Sequence, residues 1–286
     1  MTSADYKLVN DIKNILNNGY KDENPRPRYS DGTPAYTYSV NHVVRQYDLQ
    51  KEFPICTLRP IAWKSAIKEI LWIYSDQSNS LDVLHDKYNI HYWDSWESKD
   101  YPGTIGVRYG ETVRRHNLMD KLLDGIREDP YGRRHIMNLW NEEDFATSDG
   151  LKPCAFLTNW NVRGEYLDIL LFQRSGDMLA ASGAGGINEV QYAALLMMVA
   201  YATGYKPGKF THVVANEQIY DRHISVANGL TQRAELILDN PEFYCYKRLK
   251  MVFSPSINEF CKYTIRDFRL EGYEPIEPQL KLELGI

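Results

Sequence analysis

The sequence predicts an α/β (α+β) fold, a single domain with a large mixed β-sheet flanked by helices. Three observations predict it. Apolar residues recur at helical spacing over 63–74 and 119–129. Two strand-like runs, 154–162 and 166–174, flank a short turn that contains Gly164. The segment 187–205 is apolar almost all round, as a central buried helix requires.

Each element has its own signal. In WKSAIKEILWIY (63–74), Trp63, Ile67, Ile70, Leu71 and Tyr74 share one face. MDKLLDGIRED (119–129) reads as a second, more exposed helix stopped by Pro130. RHIMNLW (134–140) and FTHVVA (210–215) are rich in strand formers. CAFLTNWNV and YLDILLFQR form a predicted hairpin around Gly164. The polar clusters 21–34 and 98–103 read as loops. Neither is long enough to mark a boundary, and no repeat appears, so residues 1–286 are read as one domain.

At 286 residues and 43% hydrophobic composition, the chain is long enough to bury one large core. Its net charge of -5 lacks the basic footprint of a nucleic-acid binder, so nucleic acid is not expected as the main partner. Local arginines can still bind a phosphate. Cys56, Cys154, Cys245 and Cys261 include no C-x-x-C pair, which argues against a zinc ribbon or thioredoxin-like site. Their wide spacing suggests reduced thiols and a cytoplasmic setting. The start is polar without a signal-peptide core, and the longest near-apolar stretch, 192–205, is too short to cross a bilayer.

Several residues carry possible chemistry, each beside a plainer reading. Cys154, in LKPCAF, is either an inert packed thiol or a nucleophile. Arg174 ends the partner strand, where a guanidinium beside the sulfur would lower the thiol pKa. QRSGD (173–177) is either a solvated turn or a donor fork for phosphate through Arg174 and Ser175. Asn188 follows SGAGG (182–186). It is either an N-cap or an amide whose donor and acceptor match N3–H and O4 of uracil. Glu69 lies toward the apolar side of its helix. It is either paired to a lysine or a proton carrier with raised pKa. Arg133–Arg134 is either a charged turn or a phosphate cover.

Together these segments resemble the thymidylate synthase family. The similarity runs nearly end to end through SDGTPA (30–35), KEILW (68–72), YWDSW (92–96), IGVRYG (105–110), GRRHIMNLWN (132–141), LKPC (151–154), QRSGD (173–177), N-x-x-x-Y-A-x-L-L (188–196), IYDRH (219–223) and DF-x-L-x-G-Y (267–273). The resemblance implies that Cys154 adds to C6 of dUMP and that C5 then attacks the methylene of 5,10-methylenetetrahydrofolate, a co-substrate. It implies a proton role for Glu69 through ordered water and for Tyr109 at C5, with no metal. Phosphate would fall to Arg174, Ser175 and Arg26 or Arg28, with Arg26 favoured. Arg133 and Arg134 would reach across a homodimer to the partner's phosphate. Gln173, Asn188, Gln218 and Tyr220 would hold base and sugar. Trp93, Trp96 and Asp177 would line the folate site, with Arg59 near its glutamate tail. The C-terminal Ile286 would help to close it.

The sequence also departs from the family pattern. Ala155 stands where a histidine usually follows the nucleophile. Gln218 replaces the histidine that contacts the sugar 3′-hydroxyl, and an amide still bonds a hydroxyl. LAASGAGGIN (179–188) is longer and richer in glycine than usual, so the folate-facing wall should differ in shape. A pyrimidine-nucleotide hydroxymethylase on the same scaffold is the nearest alternative, and Asn188 rather than Asp argues for uracil. A silent nucleotide- or RNA-binding paralogue is the other.

Overall fold

The computed structural model describes residues 1–240 and 249–285. Helix α1 (Ser3–Asn18) starts at a capping box in which Thr2 and Asp5 satisfy each other's backbone N–H. Then follow β1 (Tyr20–Lys21), β2 (Thr37–Asp48), α2 (Trp63–Ile70), α3 (Leu81–Tyr88), α4 (Gly110–Arg115), α5 (Leu118–Glu128), β3 (Ile136–Asn138), α6 (Glu142–Thr147), β4 (Ala155–Arg163), β5 (Tyr166–Gln173), β6 (Gly176–Asp177), α7 (Ile187–Thr203), β7 (Lys206–Tyr220), α8 (Ile224–Asp239), β8 (Lys250–Phe253) and β9 (Phe268–Glu271).

The main sheet is mixed, as expected, with order β1-β2-β7-β5-β4-β3 and β6 beside β7. β4 and β5 form the predicted antiparallel hairpin, and Gly164 takes φ 61° in its turn. β5 runs parallel to β7 because α7 carries the chain back across the sheet. α7 ends at Gly204, whose left-handed φ of 83° turns the last N–H groups onto Ala200 and Tyr201.

Two strand boundaries differ from the sequence reading. The strand expected at 134–140 is only Ile136–Asn138, since it sits at the sheet edge beyond the hairpin. The strand expected at 210–215 extends over Lys206–Tyr220, because β2 pairs with nearly its whole length. The helix read as 63–74 is α-helical only to Ile70 and then widens into a π turn, Leu71–Ser75. Such turns recur at functional sites, and this one begins two residues after Glu69.

The core lies between one sheet face and helices α1, α2 and α7. Buried Leu167, Ile169, Leu171 and Gln173 of β5 point to it. The other face carries half-buried Leu170, Phe172, Phe156 and Val213, with Val44 62% exposed. Among the described residues, no helix is long and apolar enough to cross a membrane.

Candidate active site

The hairpin sets the position of the thiol. Cys154 precedes β4 and is half-buried, and its carbonyl accepts the Arg174 N–H at 2.9 Å from the end of β5. Its own N–H donates to the Tyr109 hydroxyl at 3.2 Å. Tyr109 is buried and holds φ 47°, an unusual conformation for a bulky residue. Its ring stands edge-on to Trp93, with centroids 5.4 Å apart. The strained backbone at Tyr109 thus sets its hydroxyl on the Cys154 N–H.

Arg174 is beside the sulfur, but not as a fully open fork. Its Nε donates to the Pro153 carbonyl at 3.0 Å and its Nη2 to that of Lys152 at 2.8 Å. The guanidinium therefore braces the thiol's loop, with Nη1 left for a ligand. The expectation of a lowered thiol pKa is corrected. Burial pushes the Cys154 thiol up, and Arg174 pulls it down by less.

Glu69 is buried, and its partner is not a lysine. Lys68 donates to the Tyr88 carbonyl at 2.7 Å. The Tyr92 hydroxyl makes a short hydrogen bond to Glu69. Burial raises the Glu69 pKa, against the opposing effects of Tyr92, Gln191 and Trp93. The donors of Gln191 and Trp93 face the carboxylate without closing hydrogen bonds of ordinary geometry. The stability tied to the neutral Glu69 carboxyl is therefore present at acid pH and is lost as pH rises through its raised folded value. Tyr92→Phe removes a donor that favours the ionised form. The Glu69-dependent limb of the kcat–pH profile should move to higher pH, and a limb that stays put would remove Tyr92 from this role.

Tyr92 was not singled out from the sequence. Its ring is 45% exposed, yet its hydroxyl turns inward to Glu69. The signal available was its place in YWDSW, next to Trp93. Trp93, Trp96 and Trp72 form a tilted aromatic wall, with Trp93 centroids 5.5 Å from Trp96 and 6.0 Å from Trp72. The Trp93 Nε1 is buried without a partner.

Asn188 is not the helix cap. Gly186 caps α7, which leaves the Asn188 amide for side-chain partners. Its Oδ1 accepts from Gln173 Nε2 at 3.2 Å, and its Nδ2 donates to Gln191 Oε1 at 2.9 Å. Gln173 is itself buried and also donates to the Ser175 carbonyl at 3.0 Å. Gln173 therefore orients Asn188 from behind.

Asp177 lies on the opposite wall. Its Oδ1 caps the N–H groups of Leu179 and Ala180 at 3.1 Å each. Its Oδ2 and the neighbouring His223 Nδ1 are buried without partners, and burial raises the carboxyl pKa. Arg59 is buried behind the same turn, donates to the Leu179 carbonyl and acts on Asp177. Gln218 is half-buried and pairs in register with Asp177.

Tyr220 joins the two sides. Burial first, then Asp177 and Cys154, push its hydroxyl pKa up to about 12, while Arg26 opposes them. Arg26 is therefore near enough to act on the Tyr220 hydroxyl. Arg28 instead forms a backbone bridge with Pro34. The C-terminal tail lies against this wall, since a side chain at Gly285 would meet the Tyr220 ring at 2.8 Å. Ile286 lies outside the described residues. Arg133 and Arg134 are exposed near β3, and the chain does not bring them to its own thiol site.

A half-buried thiol among an arginine, two phenols, a buried carboxylate and an oriented amide defines an enzyme of the cysteine-nucleophile class. The thymidylate synthase family model matches residues 6–286. Thymidylate synthases of Streptococcus sanguinis (strain SK36) and Streptococcus pneumoniae (strain 70585) are each 48% identical, covering all of both chains. The thermostable thymidylate synthase A from Bacillus subtilis superposes with a TM-score of 0.87 at 33% identity, again over all of both chains. The chain belongs to the thymidylate synthase family.

Proposed function

We propose that the protein methylates C5 of dUMP, using 5,10-methylenetetrahydrofolate, and yields dTMP and dihydrofolate. The observation that carries this reading is that the Tyr109 hydroxyl meets the Cys154 N–H while Arg174 is held on the carbonyls of the same loop, in a chain of this family. Cys154 adds as thiolate to C6 of the uracil, which makes C5 nucleophilic. Arg174 supports that thiolate against the burial that opposes it. Asn188 holds N3–H and O4 of the base. Tyr109 serves the proton leaving C5, and Glu69 serves the protons that accompany ring activation and elimination. The folate supplies both the methylene and, as hydride, the reducing electrons. Cys154 leaves C6 at the end, regenerating the thiol site.

Arg26, Ser175 and the Nη1 edge of Arg174 bind the phosphate. Gln218 and Tyr220 hold the sugar. Trp93 and Trp96 wall the folate, and the unpartnered Oδ2 of Asp177 faces that side. Arg59, buried behind Asp177, orders that wall on the side of the folate's glutamate tail. The C-terminal tail, which at Gly285 lies against Tyr220, closes the site as a lid. The whole chain works as one catalytic unit.

The protein acts as a homodimer joined through the apolar sheet face, with Arg133 and Arg134 of each subunit completing the other's phosphate site. An Arg134→Ala chain mixed with a Cys154→Ala chain should therefore regain activity, because one site in each mixed dimer keeps both groups. Mixed dimers without activity would contradict the shared site. The unpaired thiols of Cys56, Cys154 and Cys261 fit a reducing compartment, so we place the protein in the cytoplasm.

Product analysis tests the activity. Incubation with dUMP and the folate should give dTMP and dihydrofolate in equal amounts. Hydroxymethyl-dUMP would identify the hydroxymethylase instead, and no product would leave a silent paralogue.

A further inference from the structure

A line of buried polar side chains runs from the middle of the sheet to the proposed catalytic carboxylate. At its far end, Arg45 of β2 is 2% exposed and donates to Asp11 at 2.6 Å, to Glu217 at 2.8 Å and to the Ser182 carbonyl at 2.9 Å. Its Nη1 is 3.5 Å from Glu189. Glu189 also accepts the Gly185 N–H at 2.6 Å and faces His212 Nδ1 at 3.2 Å. His212 Nε2 lies 3.0 Å from Gln173 Oε1. Both Glu189 and His212 are fully buried.

Hydrogen-bond direction is fixed along this line. The Ser175 carbonyl only accepts, so Gln173 turns its NH₂ toward it and its Oε1 toward His212. The Glu189 carboxylate also only accepts. The His212 ring therefore stands between two acceptors, and with an N–H on each nitrogen it donates to both Glu189 and Gln173. The Gln173 NH₂ then donates to Asn188 Oδ1, and Asn188 Nδ2 donates to Gln191 Oε1. Gln191 Nε2, otherwise unpartnered, faces Glu69. Every amide in the line points the same way.

This sense matters for the base. Asn188 keeps one acceptor lone pair and one N–H for a ligand, the complement of N3–H and O4 in uracil. Cytosine presents the reverse pattern at N3 and N4, so it needs the amide turned over. Turning Asn188 alone sets NH₂ against NH₂ at Gln173 and oxygen against oxygen at Gln191. Turning Gln173 as well sets its oxygen against the Ser175 carbonyl and its NH₂ against His212.

Resting on the reading of Asn188 given above, we propose that His212 is a positioning residue for base selection. Held by Glu189, it locks the Gln173 amide, and through it the Asn188 amide, in the sense that accepts uracil and rejects cytosine. His212 touches no substrate; it acts through two amides.

The test compares dissociation constants for dUMP and dCMP, by calorimetry, in the full chain and its variants. His212→Leu should narrow the dCMP-to-dUMP ratio by about tenfold, the worth of one buried hydrogen bond. His212→Gln, which returns an N–H donor at similar reach, should recover most of it. An unchanged ratio in folded His212→Leu, or equal narrowing in both variants, overturns the proposal. If His212→Leu does not fold, Gln191→Met is measured instead. That variant removes the acceptor for Asn188 Nδ2 and should narrow the ratio too, and an unchanged ratio overturns the proposal. A parent protein that bound no dUMP would instead sink the underlying function.

Discussion

Cys154→Ala is expected to lower turnover by about 10⁴-fold or more, the scale on which removal of a nucleophile acts, while dUMP binding stays measurable. The two effects separate because different groups carry them. The thiol alone forms the bond to C6, and neither Tyr109, whose hydroxyl accepts the Cys154 N–H, nor Glu69 offers a substitute nucleophile at that place. In the proposed site, binding is assigned to Arg26, Ser175, Asn188 and the Nη1 edge of Arg174. The bonds that hold Arg174 go to the carbonyls of Pro153 and Lys152, and the Arg174 N–H goes to the Cys154 carbonyl. An alanine at 154 keeps all of them. Dihydrofolate formation measures turnover and calorimetry measures binding. Normal turnover in this variant would contradict the mechanism.

The largest expected effect on stability is at Arg45. Arg45→Ala should cost about 3–5 kcal/mol, the range for removing one partner of a buried ion pair. Burial alone would lower the arginine's pKa, but Glu217, Glu189 and Asp11 hold it well above its ordinary value. Without the guanidinium, two carboxylates of 0% side-chain exposure lose their cation. Burial already raises the Glu217 pKa against the pull of Arg45, so the variant's Glu217 should take up a proton more readily. The loss should therefore be greatest at alkaline pH and smaller as pH falls, as protonation neutralises the orphaned group. Denaturant unfolding checks this: the midpoint should fall with little change in slope. A loss below about 1 kcal/mol would mean that the ion cluster is not the anchor described.

The sequence made the hairpin, the central helix and the neighbourhood of Cys154 legible, because each has a local signal. The 154–174 hairpin is two alternating runs around a glycine, and the structure follows it almost residue for residue. The buried ion cluster left no such signal. Arg45, Glu189, His212 and Glu217 carry no local sign of their burial, since charged side chains are rarely inside unless paired, and their partners are far apart in sequence. β2 went unread for the same reason: Arg45 interrupts the apolar alternation, though Asp11 and Glu217 make its burial possible. Helix α1 was hidden by a polar start whose Thr2 and Asp5 turn out to be a capping box. At the site, Arg174 was correctly placed beside the thiol, but the direction of the thiol's pKa was not. Neighbouring charge can be read from a motif; burial depends on the whole fold.

The most direct test is the mass of the protein after incubation with 5-fluoro-dUMP and 5,10-methylenetetrahydrofolate, followed by mapping of the modified peptide. A fluorine at C5 blocks the proton loss proposed for Tyr109, so the sequence of bonds should stop with nucleotide and folate both attached. The predicted result is a single covalent ternary adduct on Cys154. An unmodified chain, or an adduct on Cys56 or Cys261 in its place, would contradict the account.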